Sequence, residues 1–245
     1  MNAIGWRLVL FVLMGMAAMP AHAQVPGAGA AAGAGAGTAA GAGAASAYLV
    51  TYFEIAPAAA DTVAGMVKQY AADSAKAPGN IEFLAFRELG RDNRFAFFEG
   101  WRDKAALEAH GQAAAALQNQ LQSQIAAPFD TRTNSPMLVA GSSGGAAAPA
   151  GAVYVMTHVD VPGPAKDKCI ELLKQLTAAS RNEPGLLRFD VVQQDSRPNH
   201  FTVIEIWRDR GAYDAHIMAE PTRAFRRGLT PIAGALYDER LYTRL

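Results

Sequence analysis

The chain alternates between segments with the two-residue apolar period of strands and segments with the apolar period of helices. Residues 48–55 and 154–161 are rich in β-branched and aromatic side chains, and a proline closely follows each segment. Such segments predict strands. The apolar residues that come next recur at i, i+3, i+4 and i+7, which predicts a helix with one buried face. These residues are Val63, Met66, Val67 and Tyr70 in the first helix, and Cys169, Leu172, Leu173 and Leu176 in the second.

Each half of the chain then predicts a hairpin, a second helix and a last strand. The predicted hairpin strands are 81–89 with 94–101 and 187–194 with 200–207, and the last strands lie near 129–139 and 236–244. Asp103 and Asp209 stand just before the second helices, where a carboxylate can cap the first turn. The order β-α-β-β-α-β is that of a ferredoxin-like α+β unit.

The two halves are copies of one another. A shift of 106 residues aligns them without a gap over their first two thirds, so that Trp101 meets Trp207 and His110 meets His216. This pattern predicts a tandem duplication, with domains at 48–140 and 152–245 and a Gly/Ala/Ser-rich linker at 141–151. Helices would cover one face of each sheet, and the other faces would bury one another in a barrel formed within one chain. Pairing with a second chain, as a homo-oligomer, remains open at this point.

The N-terminal segments are expected to stand outside the fold. Residues 1–23 carry Arg7, a short apolar run and an Ala-His-Ala cleavage pattern, which is typical of a secretory signal peptide. Residues 24–47 contain 12 Ala and 7 Gly, which predicts a disordered tether. We therefore expect a periplasmic or secreted protein that has no membrane segment after cleavage of the signal.

Charge and cysteine content narrow the possible functions. The chain has 22 Lys+Arg and 22 Asp+Glu, which argues against a broad nucleic-acid-binding surface. Its single cysteine, Cys169, excludes an intramolecular disulfide and a Cys-rich metal site. No phosphate-binding loop, dinucleotide fingerprint or zinc motif is present in the sequence. A small neutral or apolar molecule is therefore the expected partner.

A motif shared by the two halves resembles a known family. It reads Phe-x-x-x-Glu-x-Trp-Arg-Asp followed by Ala-x-x-Ala-His, at 95–110 and 201–216. The motif is similar to that of the antibiotic biosynthesis monooxygenase (ABM) domain. This resemblance implies a dimeric α+β barrel. It further implies one of three activities: cofactor-independent oxidation of phenols and quinols by O2, haem degradation, or a role that is not known.

Strand alternation then suggests which residues face the barrel interior. On the third strand of the first copy, Glu99 and Trp101 share a face, which we predict to be the barrel interior or the seam between the repeats, and Glu205 and Trp207 would correspond to them. On the first strands, the more polar faces carry Tyr52 in one copy and Met156 and His158 in the other. The predicted substrate-binding residues are Tyr52, Met156, Glu205 and Glu99.

The histidine and tryptophan positions are the candidates for catalysis, and each has a structural alternative. His110 and His216 could accept a proton or ligate haem, or they could simply interact with the last carbonyls of a short helix. Trp101 and Trp207 could hold a flat ring or pack in the core. The glutamates could act as acids or pair with an arginine. The remaining candidate, His158, stands where the first copy has Tyr52, whereas His200 is expected to be exposed beside a turn.

Three functions follow from these observations. The first is a cofactor-independent monooxygenase that acts on a small aromatic or quinol-like molecule with O2. The second is a non-catalytic module that binds a flat hydrophobic ligand, with haem as the cofactor alternative. The third is an assembly protein. Haem-degrading members use an Asn of the first strand, and residues 48–55 and 154–161 contain none. The first copy is Ala-rich after His110, which favours a site in the second copy.

Overall fold

The computed structural model describes residues 44–140 and 148–245. The predicted signal peptide, most of the predicted tether and residues 141–147 of the predicted linker lie outside these ranges. Ala47, at the end of the predicted tether, already belongs to the fold because it begins the first strand and pairs with Trp101. Within the described residues, none of the helices has the length and apolar character that crossing a membrane requires.

Both copies have the predicted order of elements. The first contains β1 (Ala47–Ile55), α1 (Ala60–Ser74), β2 (Asn80–Glu88), β3 (Arg91–Trp101), α2 (Lys104–Leu121) and β4 (Ile125–Leu138). The second contains β5 (Val153–Asp160), α3 (Lys166–Ser180), β6 (Leu186–Gln194), β7 (His200–Trp207), α4 (Arg210–Met218), α5 (Glu220–Leu229) and β8 (Asp238–Arg244). The long helix α2 corresponds to two helices in the second copy because Ala219 is extended and a new helix begins at Glu220, with Pro221 in its first turn.

The eight strands close into one barrel within the chain. Their order is β1-β3-β2-β8-β5-β7-β6-β4, and β4 returns to β1. The last strand of each copy joins the two copies: β4 pairs with β1 and with β6, while β8 pairs with β5 and with β2. The predicted intramolecular barrel of two ferredoxin-like units is therefore confirmed.

Three large apolar cores fill the described part of the molecule, and two smaller clusters surround Trp101 and Trp207. The barrel interior is packed with side chains from both copies, chiefly Tyr48, Val50, Phe86, Phe98, Tyr154, Met156, Ile204 and Tyr242. The other two cores lie between the sheet and the helices, one in each copy. Tyr52 and Met156 are on the interior side, as predicted.

The predicted face of β3 is wrong. Ala96 and Phe98 point into the barrel, whereas Phe97, Glu99 and Trp101 lie under the helices. The same correction applies to Glu205 and Trp207 on β7. The physical reason is volume: the larger phenylalanine set of β3 covers the broad helix-facing side, while alanine and glycine reduce the side-chain volume inside the barrel.

The structure explains two residue patterns that recur in both copies, an aspartate before the second helix and a glycine in the turn after the first helix. Asp103 and Asp209 accept hydrogen bonds of 2.8 Å from the amides of Ala106 and Ala212, as the capping prediction requires. Gly185 has φ +88°, and a Cβ there would lie 2.6 Å from the Cβ of Ala212. The Pro-Gly signal therefore allows the turn to approach the start of the second helix.

One ion pair links the two copies at equivalent positions. Glu82 and Arg188 are 106 residues apart, which is the offset of the repeat, and they form two hydrogen bonds of 2.6 and 2.8 Å. Arg188 also donates to Asp190 at 2.5 Å. In a symmetric pair of identical domains, such positions near the two-fold axis would carry like residues. The duplication therefore permits opposite charges where a homodimer would place two equal ones.

Candidate functional site

The Glu, Trp and His of the repeated motif form a buried cluster in each copy. The indole of Trp101 donates to Glu99 at 3.0 Å, and that of Trp207 donates to Glu205 at 2.7 Å. The motif histidine lies on the tryptophan, with ring centroids 4.7 Å apart in the first copy and 4.6 Å apart in the second. Both clusters lie between the sheet and the helices, outside the barrel interior where we expected them.

Burial keeps these clusters close to neutral. It raises the pKa of Glu99 to about 7 and that of Glu205 to about 8, because the charged carboxylate loses its hydration. It also lowers the pKa of His110 and of His216, and so favours the uncharged imidazole. Neither glutamate forms a salt bridge with an arginine among the described residues, so that predicted alternative is wrong.

We expect a measurable pH dependence of stability from Glu205. The unfolded carboxyl loses its proton near its usual pKa of 4.5, whereas the folded one keeps it until about pH 8. The unfolded state therefore binds fewer protons in this window, and stability falls as pH rises by up to about 1.4 kcal/mol per pH unit for this group. Glu205→Gln should flatten that slope in urea unfolding measured at intervals from about pH 5 to about pH 8. The same change at exposed Glu171 is the control, and equal slopes in wild type and Glu205→Gln would contradict the assignment.

The histidines have different partners in the two copies. In the first copy, the hydroxyl of Tyr70 lies 3.0 Å from Nε2 of His110, and the space around the ring is filled by aromatic side chains. In the second copy, Nδ1 of His216 lies 3.0 Å from Glu183, and the Thr222 hydroxyl lies 3.3 Å from the ring. His216 is 3% exposed, so it is enclosed by protein.

The second copy has a cavity of ligand size beside α5. The cavity measures about 340 Å³ and lies between β5, α5 and the segment that leads to β8. Its apolar wall consists of Val159, Leu229, Ala233, Ala235 and Leu236, and its polar groups come from His158, Asp160, Arg226, Thr230 and Tyr237. This volume is at the lower end of the range for small-molecule sites.

The corresponding space of the first copy is smaller, about 220 Å³, and aromatic side chains fill part of it. Phe53 stacks on Phe129 with ring centroids 4.5 Å apart, and on Phe95 at 5.4 Å. The residue aligned with Phe53 in the second copy is Val159, which is much smaller. This exchange leaves room for the cavity in the second copy, where the sequence favoured a site.

Arg226 connects the cavity to the polar groups behind it. Its guanidinium donates to Glu239 at 2.9 Å and lies 5.1 Å from the centre of the Tyr237 ring. Glu239 also accepts a hydrogen bond of 2.6 Å from Tyr213. A cation held in this way can stabilise an anion that forms in the cavity.

The candidates from sequence are divided between three places. His158 lines the cavity, with a pKa lowered to about 4 by burial and, next, by the Arg132 cation. Tyr52 lies inside the barrel, where guanidinium groups face its ring at 5.5 and 5.0 Å, and Met156 is packed beside it. The tryptophans, glutamates and remaining histidines named above belong to the two buried clusters.

Sequence reasoning missed several residues of the cavity. Arg226 follows the region where the two copies align best, so no repeat signal identified it, and Tyr237 gave only a weak signal, as the residue that matches Phe129 after a shift of two further residues. His200 was expected to be exposed, yet its side chain is only 15% exposed because Nδ1 lies 2.8 Å from Oδ1 of Asp160. The strand pairing explains this contact, since Asp160 and His200 are opposite each other on β5 and β7.

Comparison with known proteins supports the fold. A candidate monooxygenase from Fusobacterium nucleatum has a TM-score of 0.69 at 15% identity, covering 82% of this chain and 93% of that one. An anthrone oxidase-like protein has a TM-score of 0.64 at 14% identity, covering 83% and 93%. An uncharacterised protein of a Synechocystis species is 30% identical over 64 residues, which is 26% of this chain and only 44% of that relative.

The family is established by a match to both copies. The family described as antibiotic biosynthesis monooxygenase matches residues 46–120 and 152–228, which together make up more than half of the chain. The matched segments contain the Glu-Trp-His cluster of each copy and helix α5 up to Gly228. The chain therefore belongs to the antibiotic biosynthesis monooxygenase family and carries two tandem ABM domains.

Proposed function

We propose that this protein is an exported monooxygenase that uses O2 to oxidise a small, flat phenol or quinol bound in the cavity of the second domain. The observation that carries the proposal is the cavity itself, which is bounded by apolar side chains and carries one cation, Arg226. A flat ring suits the Tyr237 and Leu229 walls, and an ionised hydroxyl suits the guanidinium. The anthrone oxidase-like relative of the same fold supports this class of substrate.

The proposed reaction takes its electrons from the substrate. Arg226 lowers the free energy of the ionised phenol, and Asp160, whose carboxylate lines the cavity, receives the proton. The anion gives one electron to O2, and the radical pair forms a C–O bond at a ring carbon that carries hydrogen. The resulting hydroperoxide loses water. One oxygen atom of O2 remains on the ring carbon as a carbonyl, and the other leaves as water with two hydrogens from the substrate.

The buried Glu-Trp-His clusters have a supporting role in this proposal. In the second domain, the cluster lies behind the polar groups of the cavity, and its histidine is enclosed by Trp207, Glu183 and Thr222. We therefore move the proposed chemistry from His216 and Trp207 to the cavity. The export that the predicted signal peptide implies would place the reaction in the periplasm or outside the cell.

The test is oxygen uptake by the mature protein freed of metal and flavin, with a panel of quinols and anthrones. We expect uptake with at least one of these substrates and a quinone product. Arg226→Met should lower kcat/KM by about 100-fold, because one charged hydrogen bond to the anion is lost. The matched control is Arg223→Met on the exposed face of α5, which should leave the rate unchanged.

Two results would contradict the proposal. Absence of oxygen uptake with every substrate of the panel would contradict the oxygenase function. If a quinol still bound, the protein would instead be a non-catalytic binding module. Equal rates for wild type and Arg226→Met would show that the reaction takes place elsewhere in the molecule.

A further inference from the structure

Three side chains at one edge of the second domain converge on a common point. His158 and Asp160 lie at the end of β5, and His200 lies directly opposite Asp160 at the start of β7. Nε2 of His158 and Nδ1 of His200 are each 2.8 Å from Oδ1 of Asp160, and the three atoms lie within 4.8 Å of one another. The three side chains are between 11% and 18% exposed.

The positions of these three atoms fit ligands around one metal ion better than they fit a hydrogen-bond network. Oδ1 of Asp160 is buried and accepts no hydrogen bond of acceptable angle, although two imidazole nitrogens are close to it. Ligand atoms at about 2.1 Å from one metal ion are separated from each other by about 3 Å. Oδ1 of Asp160 is thus a buried acceptor without a hydrogen bond between two imidazole nitrogens, and a bound cation would satisfy it.

The first domain shows that the fold does not need these residues. The aligned positions carry Tyr52, Glu54 and Arg94, and Arg94 forms an ordinary ion pair of 2.9 Å with Glu54. The second domain has replaced all three side chains, and two of the replacements are imidazoles. A structural role alone would be fulfilled by the simpler pair of the first domain.

We propose that His158, Asp160 and His200 form a site for one divalent transition-metal ion at the wall of the cavity. Two imidazoles and one carboxylate suit Zn²⁺, Fe²⁺ or Co²⁺, and they leave further coordination positions for water or another ligand. Because His158 and Asp160 also line the cavity, a molecule bound there would lie next to the ion. This inference goes beyond the proposed function, which needs no metal.

One neighbour opposes metal binding. Arg132 approaches Nε2 of His158 at 2.6 Å, and its guanidinium is also held by Asp130 through bonds of 3.0 and 2.5 Å. A metal ion would take the lone pair of His158 that Arg132 now occupies, while Arg132 could keep its bonds to Asp130. We therefore expect Arg132→Met to bind the ion more tightly than wild type, since it removes a competing positive charge.

The experiment is titration of the metal-free, untagged mature protein with Co²⁺, followed by calorimetry and by the d–d absorption of the bound ion. We expect one Co²⁺ per chain. His200→Arg should weaken binding at least about tenfold while it preserves the fold, because it installs the ion pair of the first domain. Asp160→Asn is the second variant, and Glu54→Gln in the first domain is the matched control that should bind like wild type.

The outcomes separate this proposal from the oxygenase. Absence of saturable Co²⁺ binding by wild type, or equal binding by wild type and His200→Arg, would overturn the metal site and leave the proposed function standing. Saturable binding that is lost in His200→Arg supports the site, whatever the oxygen-uptake assay gives.

Discussion

Reversal of one buried charge between the two domains is expected to cost about 3–5 kcal/mol of unfolding free energy. The change is Glu82→Arg, which would place two arginines face to face at the junction of the domains. The present pair is 5% and 11% exposed, so neither charge can regain full hydration when its partner is removed. Asp190, which is 1% exposed, would remain as the single negative group beside two cations.

Urea unfolding of four proteins measures this effect: wild type, Glu82→Arg, Arg188→Glu and the double exchange. The double exchange should recover at least half of the loss, because it restores opposite charges at the junction. Glu171→Lys, which breaks an exposed ion pair with Lys174, is the control and should cost less than about 1 kcal/mol. A loss below about 1 kcal/mol for Glu82→Arg, or a double exchange no more stable than Arg188→Glu alone, would contradict this account.

Filling the cavity of the second domain should weaken binding of a quinol by at least about tenfold, or about 1.4 kcal/mol. The variant is Val159→Phe, which installs the side chain that the first domain carries at the aligned position. In that domain, Phe53 stacks on Phe129 at 4.5 Å. Tyr237 matches Phe129, because residues 129–132 and 237–240 share an aromatic residue followed by Asp-x-Arg. A phenylalanine at 159 can therefore pack on Tyr237 and occupy the space of the ligand.

The reverse exchange, Phe53→Val, is the matched control in the first domain. It should lower the unfolding free energy by about 2–3 kcal/mol, because it leaves a void in a packed core. It should leave quinol affinity unchanged, since the site is in the other domain. Calorimetric titration of both variants checks the pair. Undiminished affinity in Val159→Phe, or a loss of affinity in Phe53→Val, would be incompatible with the proposed place of binding.

The fold could be predicted from the sequence because two independent signals agreed. The apolar periods gave the element types, and the 106-residue repeat gave each element a second occurrence at the same place in its copy. Both features can be recognised in the sequence itself, so they do not depend on contacts in the tertiary structure. The unpaired faces of two sheets then required a partner, and the second copy provides it.

The face of β3 could not be predicted from alternation alone. Phe97 on one side and Phe98 on the other are both apolar, so the prediction depended on Glu99, which the structure places under the helices beside Trp101. The outcome depends on the volume that the helices and the barrel leave, which is a property of the assembled sheet.

The cavity depends on differences between the copies that sequence alignment could not weigh. Phe53 and the aligned Val159 are both apolar, so the sequence does not show that their difference in size opens a cavity. The break at Ala219 that separates α4 from α5 lies where the alignment is weakest. His200 illustrates the same limit, because a position next to a turn predicts exposure while the strand register places it against Asp160.

The most direct test of the central claim is the place where a reduced quinol binds. Crystals of the mature protein soaked with the quinol under anaerobic conditions would hold the substrate before it reacts. We expect electron density between Leu229 and Tyr237, with one hydroxyl oxygen within hydrogen-bonding distance of Arg226. Density inside the barrel beside Tyr52 and Met156, or an empty cavity at a saturating concentration, would contradict the account.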